Sequence, residues 1–333
     1  MKHGLQTEDS ILRRIIGMAK VPLRNLAGGS IALGIGDDAA LFRPKPGREV
    51  ILTCDWFLEG THFLRDKHPP QALGWKCLAR AVSDVAAMGG VPRCFLLSLA
   101  LPKTHTGAWL DRFLRGLRRA SGAFECALAG GDTTKHEKIL IHVTVAGDAR
   151  AGRAVLRSGA RPGHGIFVSG RLGEAERGLR TLKRNRGPWN DTDPLTRKHL
   201  YPEPRLALGQ WLVEKRMASA MMDLSDGLSS DLPRLCRASG VGARVHLDRI
   251  PLPNLSGTEL TRGIDPVRLA LHGGDDYELL FTVPRQSLSR IPKSFQGVRL
   301  TPIGEIIGDH KVQLVREDGS GQLLVPGGWD PFR

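Results

Sequence analysis

Five short apolar stretches of this chain each carry an aspartate close to glycine. They read GIGDDAALF (34–42), SDVAAMGG (83–90), LAGGDTT (128–134), MMDLSDGLSSDL (221–232) and GGDDYELLF (273–281). A carboxylate among apolar neighbours is costly unless something pairs with it. A chain that repeats the arrangement five times must therefore bring a positive partner to each station.

Most of the aspartates sit where a strand is expected to end or a glycine turn to begin. EVILTCD (49–55), RCFLLSLALP (93–102), CALAGGD (126–132) and KILIHVTVAGD (138–148) read as strands. PPQALGWKCLARAVSDVAAMGG reads as a helix, with prolines at its start and Gly89-Gly90 at its stop, and a second helix is expected over 106–121. The N-terminal MKHGLQTEDSILRRIIGMAK is an amphipathic helix beginning at Glu8, Asp9 and Ser10; charges interrupt its apolar pattern, so it is not expected to be a secretory signal. Around 148–165 the text turns to Arg, Gly and Pro, which marks the expected boundary between a domain over 1–149 and another over 150–333. Beyond it GIFVSG opens a second series, with helices near 172–185 and 204–216. The strand ASAMMDL runs straight into the helix SSDLPRLCRASG, and strands follow at GARVHL, YELLFTV and KVQLV. The stretch GRLGEAERGLRTLKRNRGPWNDTDPLTRKH reads as a helix and an exposed loop. Both halves mix α and β, so the fold class is α+β or α/β in two domains.

A chain of 333 residues with 41% hydrophobic and 25% charged residues is an ordinary globular protein, and no apolar run is long enough to span a bilayer. Its five cysteines (Cys54, Cys77, Cys94, Cys126 and Cys236) form no CxxC pair, so reduced thiols in a cytoplasm are the expectation. Of the net charge of +14, much sits in residues 150–216, which hold 15 Lys and Arg against 6 Asp and Glu. That block lacks interleaved aromatics, zinc-finger spacing or an RNP-like run. It reads as a solvated basic face that would also favour anionic substrates, and a nucleic-acid partner is not expected.

The carboxylates themselves are Asp38, Asp55, Asp84 and Asp132 in the first half, and Asp223, Asp226, Asp275 and Asp276 in the second. Any one of them has an ordinary explanation as a turn or N-cap residue. Asp84, in the last turns of a helix, opposes the helix dipole and has Arg80 one turn away as a structural partner. As an ordered set they suit Mg²⁺, which takes oxygen ligands, often one or two carboxylates per ion, and completes its octahedron with water and phosphate. The adjacent glycines let backbone N–H groups approach phosphate oxygens. Other routes to phosphoryl or acyl chemistry are closed: there is no GxxxxGK[ST] loop, no HRD with a DFG, no GxSxG and no HExxH.

At these residues the chain resembles the thiamine-monophosphate kinase family, of the aminoimidazole-ribonucleotide-synthetase-like superfamily. The resemblance runs in family order through GIGDDAALF, TCDWFLEGTHF, KCLARAVSDVAAMGGVPRCFLLSLALP, GGDTT, RSGARPG, DLSDGLSSDL, GGDDYELLFTV and GGWD, from residue 34 to 330. It implies ATP-dependent phosphorylation of thiamine monophosphate to thiamine diphosphate with several Mg²⁺ ions, in a homodimer. The N-terminal domain's sheet would pair with its dimer mate in a barrel, and a C-terminal α/β domain would serve nucleotide and substrate. By position, Asp38, Thr53, Cys54, Asp55, Asp84, Asp132, Asp223 and Asp226 match metal ligands. Phe124, Gly131, Asp132, Arg157 and Ser225 match ATP contacts, and His62, Asp275 and Trp329 match substrate contacts.

Three positions depart from the family pattern. Cys54 stands where relatives carry Thr, which leaves only a backbone oxygen to ligate. Phe124 replaces a Tyr and loses its hydroxyl, and Asp275 replaces a Glu and shortens the reach. Hydrogenase-maturation and selenophosphate-forming relatives would be expected to show a reactive Cys near the N-terminus or a C-terminal Cys tail; here the first cysteine is Cys54 and the sequence ends GGWDPFR. The implied acceptor is a phosphate whose second pKa is about 6, so it is already largely dianionic at neutral pH and needs no catalytic base. Positioning and charge neutralisation then carry the catalysis.

Overall fold

The computed structural model describes residues 8–18, 30–35, 38–184 and 193–332. Asp37 and the 185–192 part of the expected loop lie outside the described residues. The chain groups into two compact units: one of the described residues up to Val85 with Gly90–Gly152, and one of Ala86–Gly89 with Arg153 onward.

In the first unit the elements run α1 (Glu8–Met18), β1 (Ile31–Leu33), β2 (Leu41–Phe42), β3 (Arg48–Leu58), α2 (Pro70–Ala87), β4 (Val91–Leu101), α3 (Ala108–Ala123), β5 (Ala127–Lys135) and β6 (Leu140–Arg150). Four strands form a sheet in the order β3-β6-β4-β5, antiparallel except for the β4–β5 pair. Period-two alternation divides its faces. Ile51 and Phe57 of β3 are buried, as are Ile141, Val143 and Val145 of β6, while Leu52 and Trp56 are exposed. α2 is apolar nearly all round, with Leu73, Leu78, Val82 and Val85 buried, so it is a core helix. It meets α3 backbone to backbone: a Cβ on Gly74 would lie 2.1 Å from the Phe113 carbonyl oxygen, and one on Gly116 would lie 1.9 Å from that of Gln71. No larger residue fits at either position without moving a helix.

The second unit contains β7 (Gly165–Ser169), α4 (Glu174–Arg184), α5 (Pro194–Leu200), α6 (Leu206–Glu214), β8 (Ala220–Leu224), α7 (Leu228–Ser239), β9 (Gly242–His246), α8 (Gly257–Thr261), α9 (Pro266–His272), β10 (Glu278–Val283), β11 (Ser294–Phe295), β12 (Val298–Ile307), β13 (Val312–Val315) and β14 (Gly321–Leu323). Its sheet has the order β14-β13-β9-β12-β7-β10-β8, with β11 paired to β12, and is antiparallel except for β13 with β9. Both faces are covered. Phe167, Met221, Leu279 and Phe281 pack with Leu208 and Leu212 of α6, while Ile166, Val168, Met222 and Leu280 pack with Leu232 and Leu235 of α7. Double burial is why these strands read as continuous apolar runs.

Of the described elements, β1, β2, α5, α8, α9, β11, β12 and β14 were not expected from the sequence. β12 lies in the middle of the sheet although it contains Pro302 and Gly304; the register slips between them, and that irregularity accommodates a residue with no N–H to donate. α5 occupies part of the expected loop, and α9 was not anticipated. Each starts with an Asp-Pro pair. Asp193 accepts the Leu195 N–H at 3.0 Å, Asp265 accepts that of Val267 at 2.9 Å, and proline takes the first helical position.

Candidate functional site

In the first unit, strand parity decides which β3 side chains can act together. Thr53 and Asp55 share the inner face with Ile51 and Phe57; Cys54 and Trp56 point to the other face. α2 packs with Asp84 toward the inner face, and Thr53 Oγ1 donates to Asp84 Oδ2 at 2.5 Å. The Cys54 thiol is exposed on the opposite side, so only its main chain is shared with this group. Arg80, the expected partner of Asp84, has its guanidinium 5.3 Å from the Phe57 ring centroid. Asp132 and Gly131 lie on the edge strand β5, both exposed. A Cβ on Gly131 would sit 2.0 Å from the Leu97 carbonyl oxygen, so glycine is required by the closeness of β4. Asp38 is exposed between β1 and β2.

His62 follows β3 in a turn. Its Nδ1 accepts the Leu58 N–H at 3.0 Å, which sets the neutral ring to carry its proton on Nε2. Phe124 ends α3 and is buried edge-on against Trp75, ring centroids 5.0 Å apart.

The second unit joins three distant segments through main-chain bonds. β8 carries buried Asp223 and runs into the Ser225–Gly227 turn that begins α7. Asp275 N donates to the Ser225 carbonyl at 2.8 Å, Tyr277 N to Leu224 at 2.9 Å, and Trp329 N to Asp226 at 2.9 Å. Gly327 N adds a bond to Ser229 Oγ at 3.3 Å. Ser225, Asp226, Asp275 and Trp329, spread over a hundred positions, thus share one corner. The Trp329 side chain is 45% exposed there, so its indole is presented and not packed away.

Asp226 and Asp231 share one arginine. Arg234 Nη1 bonds Asp226 Oδ2 and reaches Asp231 Oδ1 at 2.8 Å, and Asp226 N donates to Asp231 Oδ2 at 3.0 Å. Burial and the neighbouring Asp226 carboxylate push Asp231 up to about 7, against the pull of that N–H and of Arg234. Tyr277 Oη donates to Asp275 Oδ1 at 2.7 Å, and His199 Nδ1 lies 3.8 Å from Oδ2. Asp275 and Tyr277 both hold positive φ, +66° and +51°, a conformation that costs a non-glycine residue on the order of 1–3 kcal/mol and clusters at ligand sites.

Asp276 belongs to the fold: it is buried and accepts N–H bonds from Gly173 at 2.5 Å and Ala175 at 3.0 Å, capping α4. Glu278 is buried as well. Burial alone would raise its pKa, but Lys198 and Arg205, with hydrogen bonds from Arg205 and Ser169, hold it down at about 2. Arg157 is exposed, its carbonyl accepting from Ser239 Oγ at 2.9 Å.

Reading the sequence alone missed Arg234, Tyr277 and His199. Arg234 follows Asp231 at i,i+3 on α7, a spacing that pairs charges on one helix face and was available as a signal. Nothing in the sequence signals His199, which reaches Asp275 only through the tertiary fold.

Two family models match the chain: AIR synthase related protein, N-terminal domain, over residues 36–149, and its C-terminal domain over 152–317. The thiamine-monophosphate kinase of Escherichia coli K12 is 37% identical over 310 residues, covering 91% of this chain and 92% of that protein. That of Bacillus subtilis 168 is 33% identical, covering 93% and 96%. The crystal structure of thiamine-monophosphate kinase from Stenotrophomonas maltophilia K279a superposes with a TM-score of 0.78 at 34% identity, covering 93% of this chain and 96% of that one. A structure described as AaThiL complexed with AMPPCP and TMP gives 0.75 at 34% identity, covering 97% and 96%. The Escherichia coli hydrogenase maturation protein HypE, at 17% identity and a TM-score of 0.74, shares the fold. This chain belongs to the AIR synthase related family and, within it, to the thiamine-monophosphate kinases.

Proposed function

We propose that this chain phosphorylates thiamine monophosphate with ATP through a metal- and charge-assisted transfer that uses no side chain as a base. The observation that carries the reading is the corner of the second unit where main-chain bonds gather Ser225, Asp226, Asp275 and Trp329. Trp329 offers an exposed aromatic face to a cationic thiazolium and a flat pyrimidine. Asp275, oriented by Tyr277, accepts a hydrogen bond from the substrate. His62, with its proton on Nε2, donates one.

The acceptor phosphate is already largely dianionic at neutral pH, so the work left to the protein is alignment and neutralisation. The Gly131 main chain, Ser225 and Arg157 take nucleotide oxygens.

Mg²⁺ fits the donor set. The donors offered are carboxylate and hydroxyl oxygens, which suit an ion that keeps water and phosphate ligands. Several ions are implied: in the first unit Asp84 with Thr53 and Asp55, together with Asp38, Asp132 and the Cys54 carbonyl, and in the second unit Asp226 with Asp223, are the oxygen donors that would hold them. Bound there, the ion supplies Lewis-acid neutralisation of phosphate charge. Arg234 is paired with the Asp226 carboxylate.

We further propose a homodimer formed through the open face of the first unit's sheet. Leu52 is 71% and Trp56 55% exposed on that face, with Leu96 and Val50 beside them, an apolar surface that a second copy would cover. Leu52→Asp should give a monomer in light scattering; a monomeric wild-type protein at micromolar concentration would overturn the assembly. The five free cysteines favour a reducing cytoplasm, and no described helix is long and apolar enough to cross a membrane.

The reaction is tested with purified protein, ATP and Mg²⁺ against thiamine monophosphate and free thiamine. Stoichiometric ADP and thiamine diphosphate are expected from the first and little product from the second. Comparable rates on both would sink the base-free mechanism and turn attention to His62.

A further inference from the structure

The second unit holds a cationic pocket that the reaction does not use. It is about 260 Å³ and lies between α4, α5, α8 and α9. On α4 the residues Arg177, Arg180 and Arg184 follow one another at three- and four-residue spacing and so share a helix face; Arg262, at the end of α8, supplies a fourth guanidinium.

Two of these four charges are already balanced. Arg177 makes a two-pronged bond to Glu259, 2.7 Å on each side, and Arg180 bonds Glu176 at 2.7 Å. Glu259 is fully committed, since Ser256 N and Oγ also donate to its Oε2 at 2.9 and 2.8 Å, and the Arg177 bond above all keeps its carboxyl down at about 2. Arg184 and Arg262 are exposed and have no acidic partner among the described residues. The lining therefore carries an excess of two positive charges on planar, multidentate donors, which are the donors best matched to phosphate oxygens. Beside them Leu195, Ile264 and Leu269 give the pocket an apolar wall, and Thr181 and Thr258 complete the lining, the Thr181 hydroxyl donating to the Arg177 carbonyl at 3.0 Å.

We propose that this pocket binds a small organic phosphate monoester. Its dianionic phosphate sits against Arg184 and Arg262, and its organic group lies on Leu195, Ile264 and Leu269. Two excess charges match one phosphate dianion, and the apolar wall distinguishes an ester from inorganic phosphate. The site is independent of the candidate substrate corner: none of its lining residues contributes there.

The test is titration calorimetry of the whole protein saturated with thiamine monophosphate and a non-hydrolysable ATP analogue, so that the reaction's own site is filled. Phenyl phosphate, inorganic phosphate and sodium chloride are compared at matched ionic strength. Phenyl phosphate should bind one equivalent per chain, at least threefold tighter than inorganic phosphate. Arg184→Gln/Arg262→Gln should lose roughly a hundredfold in affinity, and Arg262→Gln alone roughly tenfold, as expected for charge-assisted bonds. Both side chains are exposed, so the thermal transition should stay within a degree or two of wild type, and the single variant serves if the double one does not. No heat above the chloride control, equal affinity for the two phosphates, or binding that survives Arg262→Gln would each overturn the assignment.

Discussion

Replacing Arg205 by Met should destabilise the second unit by about 3 kcal/mol. Glu278 is completely buried and takes four bonds: Arg205 Nε at 2.7 Å, Arg205 Nη2, Lys198 Nζ at 3.0 Å and Ser169 Oγ at 2.6 Å. Removing Arg205 deletes half of them and leaves a buried carboxylate short of charge, a change that costs on the order of 3–5 kcal/mol. The folded-state pKa of about 2, against an ordinary 4.5, is the joint result of Lys198, Arg205 and Ser169 acting against burial, so the ionised carboxylate favours the fold. Because the pKa is lowered on folding, this stabilisation is present above pH 4.5 and is lost as the pH falls through 2. Urea unfolding of wild type and Arg205→Met at pH 7 should therefore differ by about 3 kcal/mol, or roughly 6–12 °C in Tm for a unit of this size. The difference should shrink toward pH 3, where the variant's carboxyl takes up a proton. Arg205→Met/Glu278→Gln should recover part of the loss, since it removes both charges. A difference below 1 kcal/mol, or one that does not change between pH 7 and 3, would refute the reasoning and assign the carboxylate to Lys198 and Ser169 alone.

Asp84→Asn should lower turnover by roughly 10²–10³-fold with the thermal transition unchanged, and near-normal activity at saturating Mg²⁺ would remove Asp84 from the metal donors. Trp329→Ala should raise the KM for thiamine monophosphate roughly tenfold and leave kcat and the KM for ATP little changed. If it lowers Tm and leaves that KM untouched, the indole is only a cover. Tyr277→Phe, which deletes the bond to Asp275, should raise the same KM by about fivefold; the check is steady-state kinetics, and an unchanged KM means that the hydroxyl does not orient the carboxylate.

The repeating alternation of apolar runs and glycine-ended helices was legible because it reports local chemistry. Strands β7, β8 and β10, buried on both faces, announce themselves as apolar runs, and α2 is bracketed by its prolines and Gly89-Gly90. β12 was hidden because Pro302 argues against a central strand, and only a slip of register against β7 makes it one. The candidate positions for chemistry come from the same kind of local reading, as carboxylates too costly for their apolar neighbours.

Which carboxylate has a local partner was not legible, because partners arrive from distant segments. Asp275 and Asp276 are adjacent and chemically identical. One is held at a surface corner by Tyr277 and faces His199; the other is buried under the first turn of α4, a hundred residues earlier in the chain. Cys54 and Asp55 are separated in the same manner, because sheet pairing sends one thiol outward and one carboxylate toward α2. Residue type and spacing determine what chemistry a chain can hold. Burial and the donors within about 3 Å of each oxygen determine where that chemistry is spent on the fold and where it is left for a ligand, and both are properties of the packed chain.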